Sequence, residues 1–187
     1  MMLMAIGVAG YGAFAAIAST TGDLPSMTHH FPDRVNAAAA HFAIGGLVLL
    51  IGPFQFLPAF RNRWPKVHRW VGRLYVAGCL TSAAAALMLA PTAMTGSVAR
   101  WGFSLLAVFW IVTTSLALVK ARQRKFAEHR RWMIRSYALT LAAVTLRLYL
   151  PLSLAVLQLP FDVAYPAIAF ACWVPNVFVA EWLVRKP

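Results

Sequence analysis

Apolar and polar positions fall along this chain in long blocks. Six apolar blocks approach the roughly 20 residues that a helix needs to cross the hydrocarbon core of a bilayer. They cover residues 1–20, 37–58, 69–90, 101–119, 131–151 and 164–184. Charged and turn-forming residues separate the blocks, so each block predicts one membrane-spanning helix. The pattern predicts an all-α integral membrane protein with about six transmembrane helices in a single domain over residues 1–187.

Composition supports a place in the bilayer. Hydrophobic residues make up 61% of the chain and charged residues only 12%, which lies outside the range of soluble globular domains. The formal net charge is +12, a value that would suggest nucleic acid in a soluble protein. Most of the Lys and Arg residues, however, lie in residues 61–73, 120–135 and 185–186. These short loops predict contact with anionic lipid headgroups of the bilayer and no nucleic-acid partner.

The same loops predict an orientation. Basic loops remain on the cytoplasmic side, so we expect the N- and C-termini in the cytoplasm of a bacterium and the protein in its inner membrane. Residues 21–36 and 91–100 then lie outside. The first block lacks the basic start of a secretory signal, although residues 16–18 resemble a cleavage site. We expect an uncleaved first helix.

A basic signature occurs twice, in residues 67–75 and 129–137. An offset of 62 positions superposes Trp70 on Trp132, Arg73 on Arg135 and Tyr75 on Tyr137. This match predicts a duplicated helical hairpin and a four-helix core flanked by the first and last helices. The alternative is coincidence, because any two cytoplasmic loops tend to collect Arg beside Trp or Tyr.

Two histidines, His68 and His129, stand at matching ends of two predicted helices that run in the same direction. Pro65 fits the first turn of its helix, which places His68 already on that helix. Ionisable residues at the membrane boundary are functional candidates, and two histidines from facing helices can hold one b-type haem, with arginines neutralising its propionates. The candidate cofactor site comprises His68 and His129 as iron ligands with Arg69, Arg73, Arg130, Arg135, Tyr75 and Tyr137 around them. In the alternative interpretation, both histidines bind lipid phosphates or loop carbonyls.

A second candidate polar site lies at the outer side. His41 begins the second block, and Arg147 is the one charged residue well within the fifth. They are candidates to pair with each other, although Arg147 can also extend to the outer headgroups or bind an acidic or quinone-like ligand. Residues 101–119 contain no histidine, so a second bis-histidine haem is not expected.

Three function classes follow. The first is a haem-binding electron-transfer protein, and the second a cofactor-free membrane subunit or assembly factor that docks a membrane-protein partner, a second copy of the chain or anionic lipid. The third is a small transporter, against which we count the expected absence of helices broken in mid-membrane, although Pro53 and Pro175 allow kinks. No Walker loop, Gly-x-Ser-x-Gly elbow or His-Glu-x-x-His motif occurs, which argues against ATP-driven or hydrolytic chemistry.

Several motifs occur together and in order. They are His41-Phe42-Ala43-Ile44-Gly45, Gly52-Pro53-Phe54-Gln55-Phe56-Leu57-Pro58, the two His-Arg signatures, and Leu146-Arg147-Leu148-Tyr149. With them the chain resembles, over about residues 37–150, the bacterial integral membrane proteins of the domain-of-unknown-function family 2306. This resemblance implies a multi-helix inner-membrane protein with no established substrate and a core at 37–151. More distantly, the chain is similar to four-helix cytochrome b and ferric-reductase-like proteins, which implies at most one haem here.

Overall fold

The structure, a computed structural model, describes residues 33–185 together with Gly7, Gly10 and Phe14. Within residues 33–185 all regular elements are helical. The α-helices are α1 (Val35–Phe56), α2 (Pro58–Arg63), α3 (Pro65–Leu89), α4 (Ser97–Arg122), α5 (Phe126–Thr140), α6 (Ala142–Pro151), α7 (Phe161–Ala171) and α8 (Val174–Arg185). A 3₁₀ turn, Ala90–Thr92, follows α3, and a π-helical turn, Leu152–Val156, follows α6. The prediction of an all-α protein is confirmed.

Five helical stretches of the described residues are long and apolar enough to cross a membrane. They are Val35–Phe56, Pro65–Thr92, Ser97–Arg122, Phe126–Val156 and Phe161–Arg185. These stretches confirm five of the six predicted spans. The predicted first helix, residues 1–20, lies outside the described residues except at Gly7, Gly10 and Phe14, which are helical.

The third and fifth spans each start about one turn before their predicted limits, and both starts have local causes. Pro65 occupies the first turn of α3. Backbone N–H groups in the first turn have no partner within the helix, so the N–H that proline lacks is not needed there. Glu128 lies in the first turn of α5, where the helix dipole favours a negative charge. Its carboxylate also lies 2.6 Å from the Lys120 Nζ, across the short turn from α4. As a result, both His68 and His129 lie on helices. The prediction that His68 is helical is therefore confirmed.

The core has the predicted four-helix form. Helix α1 packs on α3, α3 on α4, and α4 on α5. The α1–α3 approach is close, because a Cβ added at Gly78 would lie 2.5 Å from the Val48 Cγ1. The last span flanks this core, with α7 against α4 and α8 against α5. The hairpin duplication itself stays a prediction.

Basic residues gather at one end of the bundle. We call this end, formed by residues 58–73, 120–135 and Arg185, the basic end, and the other the opposite end. Helix α1 runs toward the basic end, whereas α3 and α5 both start from it. His68 and His129 therefore lie at the basic end, and His41 lies at the opposite end.

Two spans carry a local irregularity. At Leu141, between α5 and α6, the backbone bonds continue from Leu141 N–H to the Tyr137 carbonyl and from Thr145 N–H to the Leu141 carbonyl. In the last span, Cys172 and Trp173 separate α7 from α8. Pro175 contributes to this break, because it has no N–H for the carbonyl four residues earlier. Asn176 donates from Nδ2 to the Cys172 carbonyl at 3.1 Å and to the Ala138 carbonyl at 3.2 Å.

Thr145 also donates to the Cys172 carbonyl, so this carbonyl accepts hydrogen bonds from side chains of both spans. Pro53, by contrast, lies inside the continuous helix α1. These hydrogen bonds hold the fifth and last spans together. The Cys172 carbonyl is therefore not presented to a ligand in the manner of a broken transporter helix.

Candidate functional site

Three helices line the bundle interior with residues spaced alternately four and three apart. The three sets are His41, Gly45, Val48, Gly52 and Gln55 on α1; His68, Gly72, Tyr75, Cys79 and Ser82 on α3; and His129, Met133, Ser136 and Thr140 on α5. This spacing keeps the side chains on one helical face, and all of these residues are buried or half-buried. We call this set the interior seam.

Close contacts show that the α1 and α3 faces oppose each other. A Cβ added at Gly45 would lie 3.0 Å from the Ser82 Oγ, and one at Gly72 would lie 3.3 Å from the Gln55 Oε1. The seam therefore runs from Ser82 and His41 at the opposite end to Gln55 and His68 at the basic end. On α3, the 14 residues from His68 to Ser82 span about 21 Å at 1.5 Å per residue.

Polar groups in the middle of the seam are paired with each other. The Tyr75 hydroxyl lies 3.1 Å from the Thr140 Oγ1, which in turn donates to the Ser136 carbonyl at 3.1 Å. The Ser136 and Thr114 hydroxyls are 2.7 Å apart. Such hydrogen bonds between helices hold transmembrane bundles together. The polar groups in the middle of the seam therefore serve to hold the helices together.

The opposite end is paired as well. The His41 Nδ1 lies 3.1 Å from the Ser82 carbonyl oxygen, and the Ser82 hydroxyl donates to the His41 carbonyl at 3.1 Å. Arg147 lies within electrostatic range of His41, and its Nη1 donates to the Ala143 carbonyl at 2.9 Å. The two residues of the second candidate polar site thus lie within electrostatic range of each other, and their pairing and function stay a prediction.

At the basic end, His129 has one ring nitrogen fixed by the protein. Its Nδ1 donates to the Ala117 carbonyl on α4 at 2.9 Å, because a carbonyl oxygen can only accept. The neutral ring then carries a lone pair on Nε2. An Nδ1–H bond to a backbone carbonyl is the arrangement that orients histidines which bind metals.

His68 and Gln55 hold the unsatisfied polar atoms of this end. The His68 Nδ1 and the Gln55 Nε2 are buried and have no hydrogen-bond partner. Unpaired buried polar atoms are rare because their desolvation is not compensated. His129 acts electrostatically on His68, as do Arg61 and Arg69. The two predicted histidines therefore lie at the same end of the seam and within electrostatic range of each other, and their role as ligands stays a prediction.

The tyrosines predicted to surround the site serve the bundle interior. Tyr75 is fully buried and its hydroxyl is paired with Thr140. The Tyr137 hydroxyl donates to the Leu49 carbonyl at 3.3 Å. Both rings pack against Gly52, where no side chain separates them from α1.

The arginines predicted to surround the site divide into two groups. Arg69, Arg73 and Arg130 are exposed at the basic end, and Arg73 lies over the Trp70 ring at 5.0 Å. Arg135 instead binds the Glu181 carboxylate with both Nε and Nη2, at 2.6 and 2.9 Å, and lies over Trp132 at 4.6 Å. Arg135 thus ties α5 to α8.

Sequence reasoning did not assign Gln55 or Arg61 to the site. Gln55 was recoverable, because it follows His41 by the same alternating spacing that relates His68 to Ser82. The offset of 62 did not reveal the interior-facing positions, because it superposes boundary residues such as the exposed Trp70 and Arg73 on their later counterparts. An offset of 61 superposes His68 on His129 and places the seam positions of α3 on those of α5.

The donor set suits a group that needs few protein ligands. Within the described residues no cluster of three or more His, Cys, Asp and Glu side chains could hold a metal ion. A haem iron needs only two axial ligands from the protein, because the porphyrin supplies the other four. Two pockets, of about 270 and 610 Å³, are lined by residues other than His68 and His129.

Fold and site together define a class: a multi-helix integral membrane protein whose bundle interior carries two histidines at its basic end. A family model matches residues 38–184. The chain belongs to this family, which is described as "Predicted membrane protein (DUF2306)". The match confirms the resemblance and extends it through the last span. No curated protein and no solved structure matches the chain. The more distant similarity to cytochromes b stays a prediction.

Proposed function

We propose that the basic end binds one b-type haem between His68 and His129 and that the protein transfers electrons within the membrane. The observation that carries the proposal is the state of the two imidazoles. The His129 Nδ1 bond to the Ala117 carbonyl leaves Nε2 free for a ligand bond. The buried His68 Nδ1 has no partner, and His129 lies within electrostatic range of the His68 ring.

The residues have distinct roles in this proposal. His68 and His129 hold the iron from α3 and α5, which start from the same end of the bundle. Ala117 fixes the tautomer of His129 through its carbonyl. Exposed arginines such as Arg69 and Arg130 provide positive charge at the headgroup level. When bound, the haem supplies one-electron redox chemistry.

The proposed orientation in the membrane follows from the positive charge of the basic end. We place the basic end in the cytoplasm and the protein in the inner membrane of a bacterium, because basic segments remain on the cytoplasmic side. Anionic lipid headgroups are then the first partners of this end.

A second candidate function is a cofactor-free membrane subunit that binds anionic lipid at the basic end. Exposed tryptophans favour it: Trp64 and Trp70 are 51% and 64% exposed. Each lies beside an arginine, with Arg63 5.6 Å from the Trp64 ring and Arg73 5.0 Å from the Trp70 ring. Aromatic rings with adjacent cations suit the headgroup region. A colourless protein that co-purifies with anionic lipid would favour this function over the first.

The test is the absorption spectrum of the full chain. The protein is expressed with added haem precursor and purified in detergent, and spectra are recorded before and after reduction with dithionite. We expect a Soret band and a reducible α band with about one haem per chain. His68→Ala and His129→Ala should each abolish these bands.

His41→Ala is the matched control, because His41 is also a half-buried histidine in the seam but lies at the opposite end. It should keep most of the bound haem. Size-exclusion chromatography of each variant separates loss of haem from loss of fold. A colourless wild-type protein after haem-replete expression overturns the proposal, and so does an equal loss of haem in all three folded variants.

A further inference from the structure

We propose that Gln55 donates a hydrogen bond to a carboxylate of the group bound at the basic end and so selects a carboxylate-bearing ligand. This inference rests on the proposed function, in which that group is a haem and the carboxylate is one of its propionates. It assigns a role to the conspicuous Gly52-Pro53-Phe54-Gln55-Phe56 segment, for which neither the helix pattern nor the histidine pair accounts.

Gln55 differs from the other polar residues of the seam. Its side chain is 9% exposed, and its Nε2 has no hydrogen-bond partner. Ser82, Tyr75, Ser136 and Thr140 are buried at least as deeply, yet each is paired. A buried amide N–H group without an acceptor carries a desolvation penalty that packing does not repay. The unpaired donor therefore points to an acceptor that the chain itself does not supply.

Gly72 fixes where this donor lies. The Gln55 Oε1 would be 3.3 Å from a Cβ at residue 72, so the amide rests against the backbone of α3. Gly72 follows His68 by one helical turn on the same face. The Gln55 amide thus lies beside the histidine that also holds an unpaired buried ring nitrogen. Both unpaired atoms therefore lie near the contact between α1 and α3 at the basic end.

Local charge favours an anionic acceptor. Arg61 and Arg69 both act electrostatically on His68. In the described part of the chain, Asp and Glu do not appear among the groups that act on this ring. Hydrogen bonds from an amide to an ionised carboxylate are stronger than those to a neutral oxygen. Cations and an amide donor close to one another suit a carboxylate, whereas a bridging water would satisfy the donor without using the charge.

The experiment compares two porphyrins that differ only in their carboxylates. Full-length protein is produced without haem and titrated in detergent with iron protoporphyrin IX or with its dimethyl ester, and dissociation constants are read from the Soret absorbance. Gln55→Leu should weaken binding of the acid about tenfold, because it removes a hydrogen bond to a charged group. Binding of the ester should change less than twofold.

Two further variants separate this role from a structural one. Gln55→Glu keeps the shape but adds a negative charge, so it should weaken binding of the acid more than Gln55→Leu does and change binding of the ester much less. Ser82→Ala removes a buried hydrogen bond at the opposite end and should leave both constants unchanged.

The outcomes distinguish this inference from the proposal on which it rests. If the wild-type protein binds neither porphyrin, the proposed function fails and this inference fails with it. If the wild-type protein binds both porphyrins and Gln55→Leu weakens them equally or not at all, only the inference about Gln55 is overturned. In that case Gln55 serves packing or binds a water molecule.

Discussion

The sharpest structural prediction concerns Gly52, where α1 meets two aromatic rings of the bundle interior. A Cβ added at this position would lie 2.7 Å from the Tyr137 Cδ2 and closer still to the Cε2. The Tyr75 Cε2 would lie at 3.2 Å. Neither ring is free to move. Tyr137 is held by its bond to the Leu49 carbonyl and by packing on Phe56 at 5.6 Å, and Tyr75 is fully buried.

Gly52→Ala should therefore lower the free energy of unfolding. Relieving the contact requires the Tyr137 ring or α1 to shift by roughly 1 Å, and overpacking of this kind costs about 1–3 kcal/mol. A shift of the ring also loses the hydrogen bond to Leu49, which is worth about 1 kcal/mol. The expected total is about 2–4 kcal/mol.

The assay is equilibrium unfolding in detergent, followed by intrinsic fluorescence and circular dichroism. In a Tyr137→Leu background the added methyl group has room, so Gly52→Ala should cost about 1 kcal/mol or less there. Gly10→Ala is the control, because a Cβ at Gly10 meets no described atom within 4 Å and alanine favours the helix. An unchanged stability of Gly52→Ala, or the same loss in both backgrounds, would refute the steric reasoning.

Two further substitutions test contacts between helices. Glu181→Gln removes the charged partner of Arg135, and because both side chains are partly exposed, we expect a loss of only about 1 kcal/mol. Unfolding measured at low and high salt checks this, since a loss that does not shrink with salt contradicts an ionic origin. Thr114→Val breaks the buried 2.7 Å bond to Ser136 and should cost about 1 kcal/mol. Adding Ser136→Ala to it should cost little more, and fully additive losses would argue against the bond.

Much of the fold was readable from the sequence because a bilayer imposes simple demands. A spanning helix needs a fixed length of apolar residues, and basic residues and tryptophans mark its ends. These rules located five spans to within a few residues. They did not locate the break at Cys172 and Trp173, because a broken helix is tolerated only where neighbouring side chains satisfy its carbonyls. Those neighbours, Asn176 and Thr145, become apparent only when α6 and α8 are packed together.

The candidate site was predicted in part. His68 and His129 stood out because ionisable residues in a membrane helix are few and the two head parallel helices. The seam between them was hidden, because the most visible repeat superposes boundary residues such as Trp70 and Trp132. The ion pair of Arg135 could not be predicted from the sequence either. Its partner Glu181 lies 46 residues away, and no local pattern connects the two residues.

The sequence by itself determined that this chain crosses a membrane with a bundle of helices, which end carries the positive charge, and that two histidines share that end. Periodicity and burial of apolar surface act locally, so they can be read along the chain. Only the tertiary structure decided which polar groups are paired and which are not, because a partner is a neighbour in space. The unpaired nitrogens of His68 and Gln55 therefore became visible only once α1 and α3 lay against each other.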